Sequence, residues 1–357
     1  MRVLQIGSDR SKRGILYPGS PAFKRQEAYA RAFGELDIIA FSLRSDGAHF
    51  VEAGPLRVFP TNAVSRLLQA FYAVHIARTV PKPDVISAQD PFETGLVAWL
   101  IAGLLRRPLH IQVHTDFLSP EYAKHSTINR VRVTLAGFIL RRATRIRVVS
   151  ERIKISIERR YHLSTPITTL PIFVDVARIR VGLWNHALLK RFSPFSPKLL
   201  VVARLEAEKN VALAITVFSK VAPKDACLMI VGEGSLREEL SRLAHILKVK
   251  HVFFEVGPEV APYYALADLV LVPSKYEGYG LVIVEALAAG KPVLSTDVGI
   301  AREVGAIVAR EEQFADALKE WLANGPRTGE LKTYPYKDFD EYVHAYCADI
   351  EACARGQ

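Results

Sequence analysis

The chain has 357 residues, beyond the roughly 250–300 at which one hydrophobic core stops growing, and half of them are apolar, enough for two packed cores. The net charge of +10 is unevenly spread: residues 1–165 carry 25 Lys and Arg against 13 Asp and Glu, whereas residues 166–357 carry 22 against 24. Residues 124–160 alone hold 11 basic and 2 acidic side chains, so the charge is a local feature and not a general solubility device.

The opening MRVLQIG reads as a buried strand and lacks the pattern of a signal peptide, so a cytoplasmic location is expected. The longest charge-free apolar stretch, Gly95 to Leu105, is far short of the roughly 20 residues of a membrane span. Cys227, Cys347 and Cys353 have no metal-ligand spacing and read as idle thiols in a reducing compartment.

In chain order, apolar runs at 3–6, 37–41, 85–87, 109–114 and 145–149 alternate with amphipathic or Ala-rich stretches. Such βα alternation predicts a parallel sheet covered by helices. Pro166, Pro171, Pro194 and Pro197 then break the pattern, and Phe192 to Pro197 reads as a hinge. A second series follows at 199–203, 227–232, 251–256, 269–274 and 292–296. The fold expected is α/β, with two Rossmann-like βα domains facing each other across a cleft. The boundaries read as 1–175, a hinge over 176–197 and a donor-side domain over 198–335. DEYVHAYCADIEACA has the apolar spacing of a docking helix at about 338–354.

The segment Ser274 to Pro292 carries the richest chemistry. A strand ends at Ser274, a glycine-bearing loop follows, a helix opens near Leu281, and Gly290 with Pro292 stops it. The helix start suits a phosphate, and Gly278 and Gly280 let a ligand approach the backbone. Glu277 lies in that loop and Glu285 about one turn inside the helix, its side chain leaning back towards the helix start. The pair is either two surface carboxylates or two acceptors for sugar and ribose hydroxyls. Upstream, Arg204 closes one strand and Lys209 follows at a loop-to-helix junction. They are either solvated charges or partners for a departing diphosphate.

The order of these elements resembles family 4 of the retaining glycosyltransferases, also called glycosyl transferases group 1, which has the GT-B fold. The matched stretches are VVARLEAEKN, IVGEGSLREEL and ADLVLVPSKYEGYGLVIVEALAAGKPVLSTDVG, with Glu277 and Glu285 in the Glu-x7-Glu arrangement. By that resemblance Arg204 and Lys209 bind the donor pyrophosphate, Glu277 contacts the donor sugar and Glu285 binds the ribose. Backbone groups of Tyr279, Gly280 and Leu281 line the same pocket. The N-terminal half is less similar. Gly19, with Gly14 as a rival, stands where the family has a glycine loop. His114 stands where it has a histidine near the reacting sugar, and Asp90 ends the preceding strand and would face the acceptor. Pro171-Ile-Phe-Val-Asp175 and Phe254-Glu-Val256 depart from the family pattern at the hinge motif and the base pocket.

What the resemblance implies is transfer of a sugar from a nucleoside-diphosphate sugar to a hydroxyl, with retention, in glycolipid or polysaccharide synthesis. The acceptor would be lipid-linked or a saccharide. With no Asp-x-Asp motif, no metal and no cofactor besides the nucleotide-sugar co-substrate are expected. A nucleotide-sugar epimerase and a non-enzymatic nucleotide-sugar-binding protein are the alternatives on this architecture. A dinucleotide oxidoreductase is disfavoured because Arg237 replaces the third glycine after Gly232-Glu-Gly234. Nucleic-acid binding is not expected, since no recognised module accompanies the basic patch. Ile128, Val131, Leu135, Phe138 and Ile139, flanked by Arg130, Arg132, Arg141 and Arg142, give residues 124–160 two readings. One is a core helix with solvated arginines, the other a peripheral contact with an anionic membrane at the inner face.

Overall fold

The computed structural model describes residues 1–8, 14–181, 185–257 and 259–356. They form two compact units, Met1–Pro171 with Tyr336–Gln357, and Ile172–Pro335. The chain returns to the first unit at Tyr336, and its C-terminal helix Phe339–Ala354 starts at an Asp338 cap and packs on the helix Pro21–Phe33 of that unit.

The first unit holds eight strands: β1 (Arg2–Gly7), β2 (Glu35–Ala40), β3 (Val51–Ala53), β4 (Leu56–Pro60), β5 (Val85–Ala88), β6 (Leu109–Val113), β7 (Arg145–Val148) and β8 (Ile167–Thr169). Their order is β3-β4-β2-β1-β5-β6-β7-β8, parallel except for the β3–β4 hairpin. Strand order reverses at β1, between β2 and β5. In open parallel sheets the crevice outside the strands' carboxyl ends at such a reversal is where ligands bind. The β1–β5 junction places the loops carrying Gly19 and Asp90 there, and His114 follows one strand further along, after β6.

The second unit holds β9 (Lys198–Val202), β10 (Cys227–Val231), β11 (Val252–Glu255), β12 (Leu269–Val272), β13 (Val293–Ser295) and β14 (Ile307–Val308). Their order, β11-β10-β9-β12-β13-β14, is all parallel and is the 3-2-1-4-5-6 arrangement of a Rossmann fold. Leu199, Val201, Leu228, Ile230, Leu269, Leu271 and Leu294 point into one core with Ile215, Phe218, Phe314 and Trp321 from the covering helices. Both faces of the central strands are buried, hence their near-continuous apolar runs. The reversal falls between β9 and β12, the strands that lead into Arg204 and into Ser274.

The segment read as a hinge carries regular structure among its described residues. Its described residues include the helices Val176–Val181 and His186–Phe192, both in the second unit. Phe192 is fully buried, edge-on to Phe253 with ring centroids 5.2 Å apart, and Phe195 packs on the same ring at 5.4 Å. Those aromatic contacts tie the Phe192–Pro197 stretch to β11.

Candidate functional site

The loop after β9 and the loop after β12 are joined at two points. Glu208 accepts through its backbone oxygen from the Lys275 amide at 2.8 Å, and Lys209 Nζ lies 2.6 Å from Glu277 Oε1. Ser274 Oγ donates to the same carboxylate oxygen at 2.8 Å. Lys209 and Glu277 each keep 17% of their side-chain surface exposed, so this is a half-shielded pair at the edge of the reversal. The two clusters singled out from sequence are thereby one cluster. Arg204 stands apart: it is 72% exposed and pairs with Glu208 at 2.8 Å.

Gly232 and Gly234 allow the loop after β10 to lie against this assembly. A Cβ on Gly232 would stand 1.9 Å from the Ala203 oxygen, and one on Gly234 2.4 Å from the Leu205 oxygen. Close packing on the Arg204 loop therefore accounts for the Gly-x-Gly that superficially suggests a dinucleotide turn. Tyr279 is buried, and its oxygen accepts from Ile300 at 3.0 Å. Gly299 is required at that contact, since a Cβ there would come within 2.2 Å of the Tyr279 oxygen. Gly299 was not singled out from sequence as part of the site, because its signal is a spatial approach between two separate loops; Ser274 was read from sequence only as the end of its strand, not as a partner of Glu277.

Gly280 takes φ +96° and begins the helix Leu281–Ala288, which has no side-chain cap. Gly278 is buried in the same loop. One turn inside the helix, Glu285 accepts from Tyr264 Oη at 2.7 Å. Desolvation pushes the Glu285 carboxyl above its ordinary pKa, and the Tyr264 hydrogen bond partly offsets this. Tyr264, fully buried on the helix Ala261–Leu266, is thus the residue that aims Glu285. Glu255, at the departure from the family's base-pocket pattern, pairs with Arg191 at 2.8 Å and accepts from Tyr263 Oη at 3.1 Å.

In the first unit, Gly19 adopts φ +82° with open space around it, and Ser20 caps the following helix by accepting from the Phe23 amide at 3.0 Å. Ser20 Oγ also donates to the Gly14 oxygen at 2.7 Å, so the two rival glycines belong to one turn. Asp90 Oδ1 accepts from the Phe92 amide at 2.7 Å, an Asx turn that leads into the helix Glu93–Leu105. Desolvation raises the Asp90 carboxyl, with the Phe92 amide opposing it. His114 sits at the end of β6 with Nε2 3.2 Å from Gln112 Oε1. Desolvation, then the charges of Arg147, Arg25 and His110, lower its pKa. His114 keeps contact with solvent, and the surrounding protein and cations favour its neutral imidazole.

The basic helix splits its apolar residues. Over Thr127–Leu140, Ile139 is fully buried while Ile128 and Val131 are exposed. Arg132 pairs with Glu93, Arg141 lies over the Tyr161 ring and Arg142 over Phe138. The helix Gln69–Ala77 packs on Glu93–Leu105, which in turn packs on Thr127–Leu140, and there Leu67 is 92% and Phe71 69% exposed, apolar surface not anticipated from sequence. Among the described residues there is no group of three or more His, Cys, Asp or Glu that could hold a metal ion, and no helix long and apolar enough to cross a membrane. All three cysteines are free and buried.

Two Rossmann-like sheets, each with its singled-out residues at a strand-order reversal, define the class, and comparison with known proteins agrees. Residues 196–324 match Glycosyl transferases group 1 and residues 26–178 match Glycosyltransferase Family 4. The chain belongs to the GT-B-fold glycosyltransferase superfamily. It is similar to an uncharacterized glycosyltransferase of Methanocaldococcus jannaschii, 38% identical over 30% of this chain and 28% of that protein. It is also similar to alpha-monoglucosyldiacylglycerol synthase of Streptococcus pneumoniae, 24% identical over 74% of this chain and 66% of that one. A third relative is the GDP-mannose-dependent alpha-(1-6)-phosphatidylinositol dimannoside mannosyltransferase of Mycobacterium tuberculosis, 31% identical over 46% and 44%. The matches therefore span less than two thirds of these relatives' length. Among solved structures, sucrose-phosphate synthase of Thermosynechococcus elongatus superposes with a TM-score of 0.74 at 18% identity, covering 99% of this chain and 97% of that one. Anabaena HepE in complex with UDP-glucose gives 0.69 at 19% identity, covering 100% and 97%.

Proposed function

We propose that the protein is a retaining glycosyltransferase that moves a sugar from a nucleoside-diphosphate sugar to a hydroxyl acceptor without a metal ion. The observation that carries this reading is the joining of Lys209, Glu277 and the uncapped helix start at Gly280 on one edge of the second sheet, within the residues matched to Glycosyl transferases group 1. The helix start and Lys209 would neutralise the departing diphosphate, with Arg204 reaching in from the exposed rim. Glu277 would exchange its ion pair for sugar hydroxyls, and Glu285 would accept from the ribose. Gly19, Asp90 and His114 would face the phosphates, the acceptor and the sugar. Retention is consistent with attack on the same face as the leaving phosphate, which takes the acceptor's proton, so no protein nucleophile is needed.

Incubation with a panel of UDP-, GDP- and ADP-sugars tests the reading. A transferase hydrolyses a donor slowly or transfers from it, and retention is read from the anomeric configuration of the product. An epimerase would isomerise the sugar, and a binding protein would leave it intact. Turnover that persists in chelator supports the metal-free mechanism, and a strict requirement for added divalent ion contradicts it.

The acceptor we infer is lipid-linked, met by a cytoplasmic enzyme at an anionic membrane surface. Support comes from relatives named for acting on diacylglycerol and phosphatidylinositol glycosides, and from the exposed Leu67, Phe71, Ile128 and Val131 beside a stretch of 11 basic and 2 acidic residues. Each cation near such a surface contributes about 1 kcal/mol, so binding should be salt-sensitive. Sedimentation with anionic and neutral vesicles decides. Protein left in the supernatant with anionic vesicles at low salt points to a soluble saccharide acceptor instead.

A further inference from the structure

The face of the first sheet under the C-terminal helix is polar although it is buried. Register sets Ser87 of β5 beside His110 of β6 and Arg145 of β7, and Gln112 of β6 beside Arg147 of β7. Residues two apart on a strand share a face, so His110, Gln112 and His114 form one stripe. Gln112 is buried and has four partners. Its Oε1 lies 3.1 Å from Arg147 Nη1 and 3.2 Å from His114 Nε2, while its Nε2 donates to Ser87 Oγ at 3.1 Å and Tyr346 Oη at 2.9 Å.

Arginine is a donor only, which gives this network a direction. The Gln112 atom facing Arg147 must be the carbonyl oxygen, and an oxygen facing His114 Nε2 requires that nitrogen to carry the proton. On the other side, Ser87 accepts from Gln112 and is 3.0 Å from His110 Nδ1, and His110 Nε2 is 2.9 Å from Asp349 Oδ2. Arg145 Nε donates to Asp349 Oδ1 at 2.6 Å and closes that end. Arg147 is itself held by Tyr342 Oη at 3.0 Å and lies 4.6 Å from the Tyr346 ring centroid. An arginine thus stands at each end, and Gln112 is fixed with its oxygen towards Arg147 and His114 and its amide nitrogen towards Ser87 and Tyr346.

We propose that Gln112 and Arg147 are positioning residues that hold His114 as the neutral Nε2–H tautomer, leaving Nδ1 as a hydrogen-bond acceptor for a hydroxyl of the bound substrate. Nδ1 has no protein partner among the described residues, and the side chain is open to solvent. Arg147 on β7, Arg25 on the helix Pro21–Phe33 and His110 on β6 are the charged or titratable groups acting on the ring, and all oppose its protonation. A lone pair at Nδ1 favours a hydroxyl, which can donate, over a carboxylate or phosphate oxygen, which cannot. The use made of that lone pair rests on the glycosyltransferase reading, whereas the tautomer itself does not.

Long-range proton–nitrogen correlation spectra of the free, full-length protein labelled with nitrogen-15 histidine test this, with His114→Gln to assign the signal. The expected result is a protonated Nε2 and an unprotonated Nδ1 at neutral pH. In Gln112→Met the preference for Nε2–H should drop by roughly fivefold or more, the worth of one lost hydrogen bond. In Gln112→Glu the ring should keep Nε2–H and take up its second proton at higher pH. A wild-type signal that is Nδ1–H, mixed or doubly protonated at neutral pH overturns the proposal even if a Gln112 variant fails to fold, as does a folded Gln112→Met with an unchanged spectrum. Failure to turn over nucleotide sugars would sink the glycosyltransferase reading and leave the spectrum to decide the tautomer.

Discussion

Lys209→Met separates a structural ion pair from a catalytic cation. An exposed pair contributes about 0.2–1 kcal/mol, and breaking a fully buried one costs about 3–5 kcal/mol. Lys209 and Glu277 each retain 17% of their side-chain exposure, and Glu277 keeps the Ser274 hydroxyl after Lys209 is removed. The expected loss of stability is therefore intermediate, about 2 kcal/mol, measured by urea denaturation. If Lys209 also meets the leaving diphosphate, turnover should fall by about 100-fold or more, the loss usual for a preorganised transition-state partner. The double variant Lys209→Met/Glu277→Gln removes the orphaned charge, so stability should largely return while turnover stays low. Donor hydrolysis or transfer, measured beside the denaturation curves, reads both quantities. Recovery of turnover together with stability in the double variant would refute the phosphate role and leave the pair as a loop clasp.

Arg204→Ala should change stability by no more than about 0.5 kcal/mol, as for an exposed i,i+4 pair, yet lower turnover by about 100-fold; near-normal turnover would remove Arg204 from the diphosphate site. Tyr264→Phe removes the hydrogen bond that lowers the Glu285 pKa, so the acid-side loss of nucleotide affinity, read by calorimetry across pH, should begin at higher pH than in the wild type. Gly299→Ala forces a Cβ against the Tyr279 oxygen at φ +52° and should destabilise the fold by more than about 1 kcal/mol, visible as a lowered Tm. Asp349 is held at a pKa of about 2 because hydrogen bonds and charge from His110, with Arg145 and Thr168, outweigh its desolvation. A carboxylate depressed from its ordinary value contributes stability above that value and loses it as pH falls through the folded pKa. The wild type should thus lose about 2 kcal/mol between about pH 4 and pH 2, and Asp349→Asn should flatten that part of the pH–stability curve.

Much of this molecule is legible in its sequence because the signals are local. Alternating apolar runs locate the longer strands, since a parallel strand covered on both faces must be apolar throughout. The short edge strands β3, β8 and β14 bury too little to leave such a mark. The glycine loop, Glu277, Glu285, Arg204 and Lys209 stand out because turn, helix start and charge follow one another within a few residues. Their assembly does not. The separation of 68 positions between Lys209 and Glu277 is closed by the strand order of the second sheet, which sets β9 beside β12. Tyr264 and Gly299 enter only through tertiary packing, Ser274 through a local bond to Glu277 in its own loop, and Phe192 shows that a proline-rich stretch can be anchored by one buried ring. The polar face beneath the C-terminal helix is the furthest from sequence. Asp349 lies 239 residues after His110, and nothing in the local pattern of Gln112 or Arg147 distinguishes a surface polar residue from a buried one. Hydrogen-bond satisfaction in a desolvated layer depends on which strands and helices meet, so the tertiary structure alone decides it.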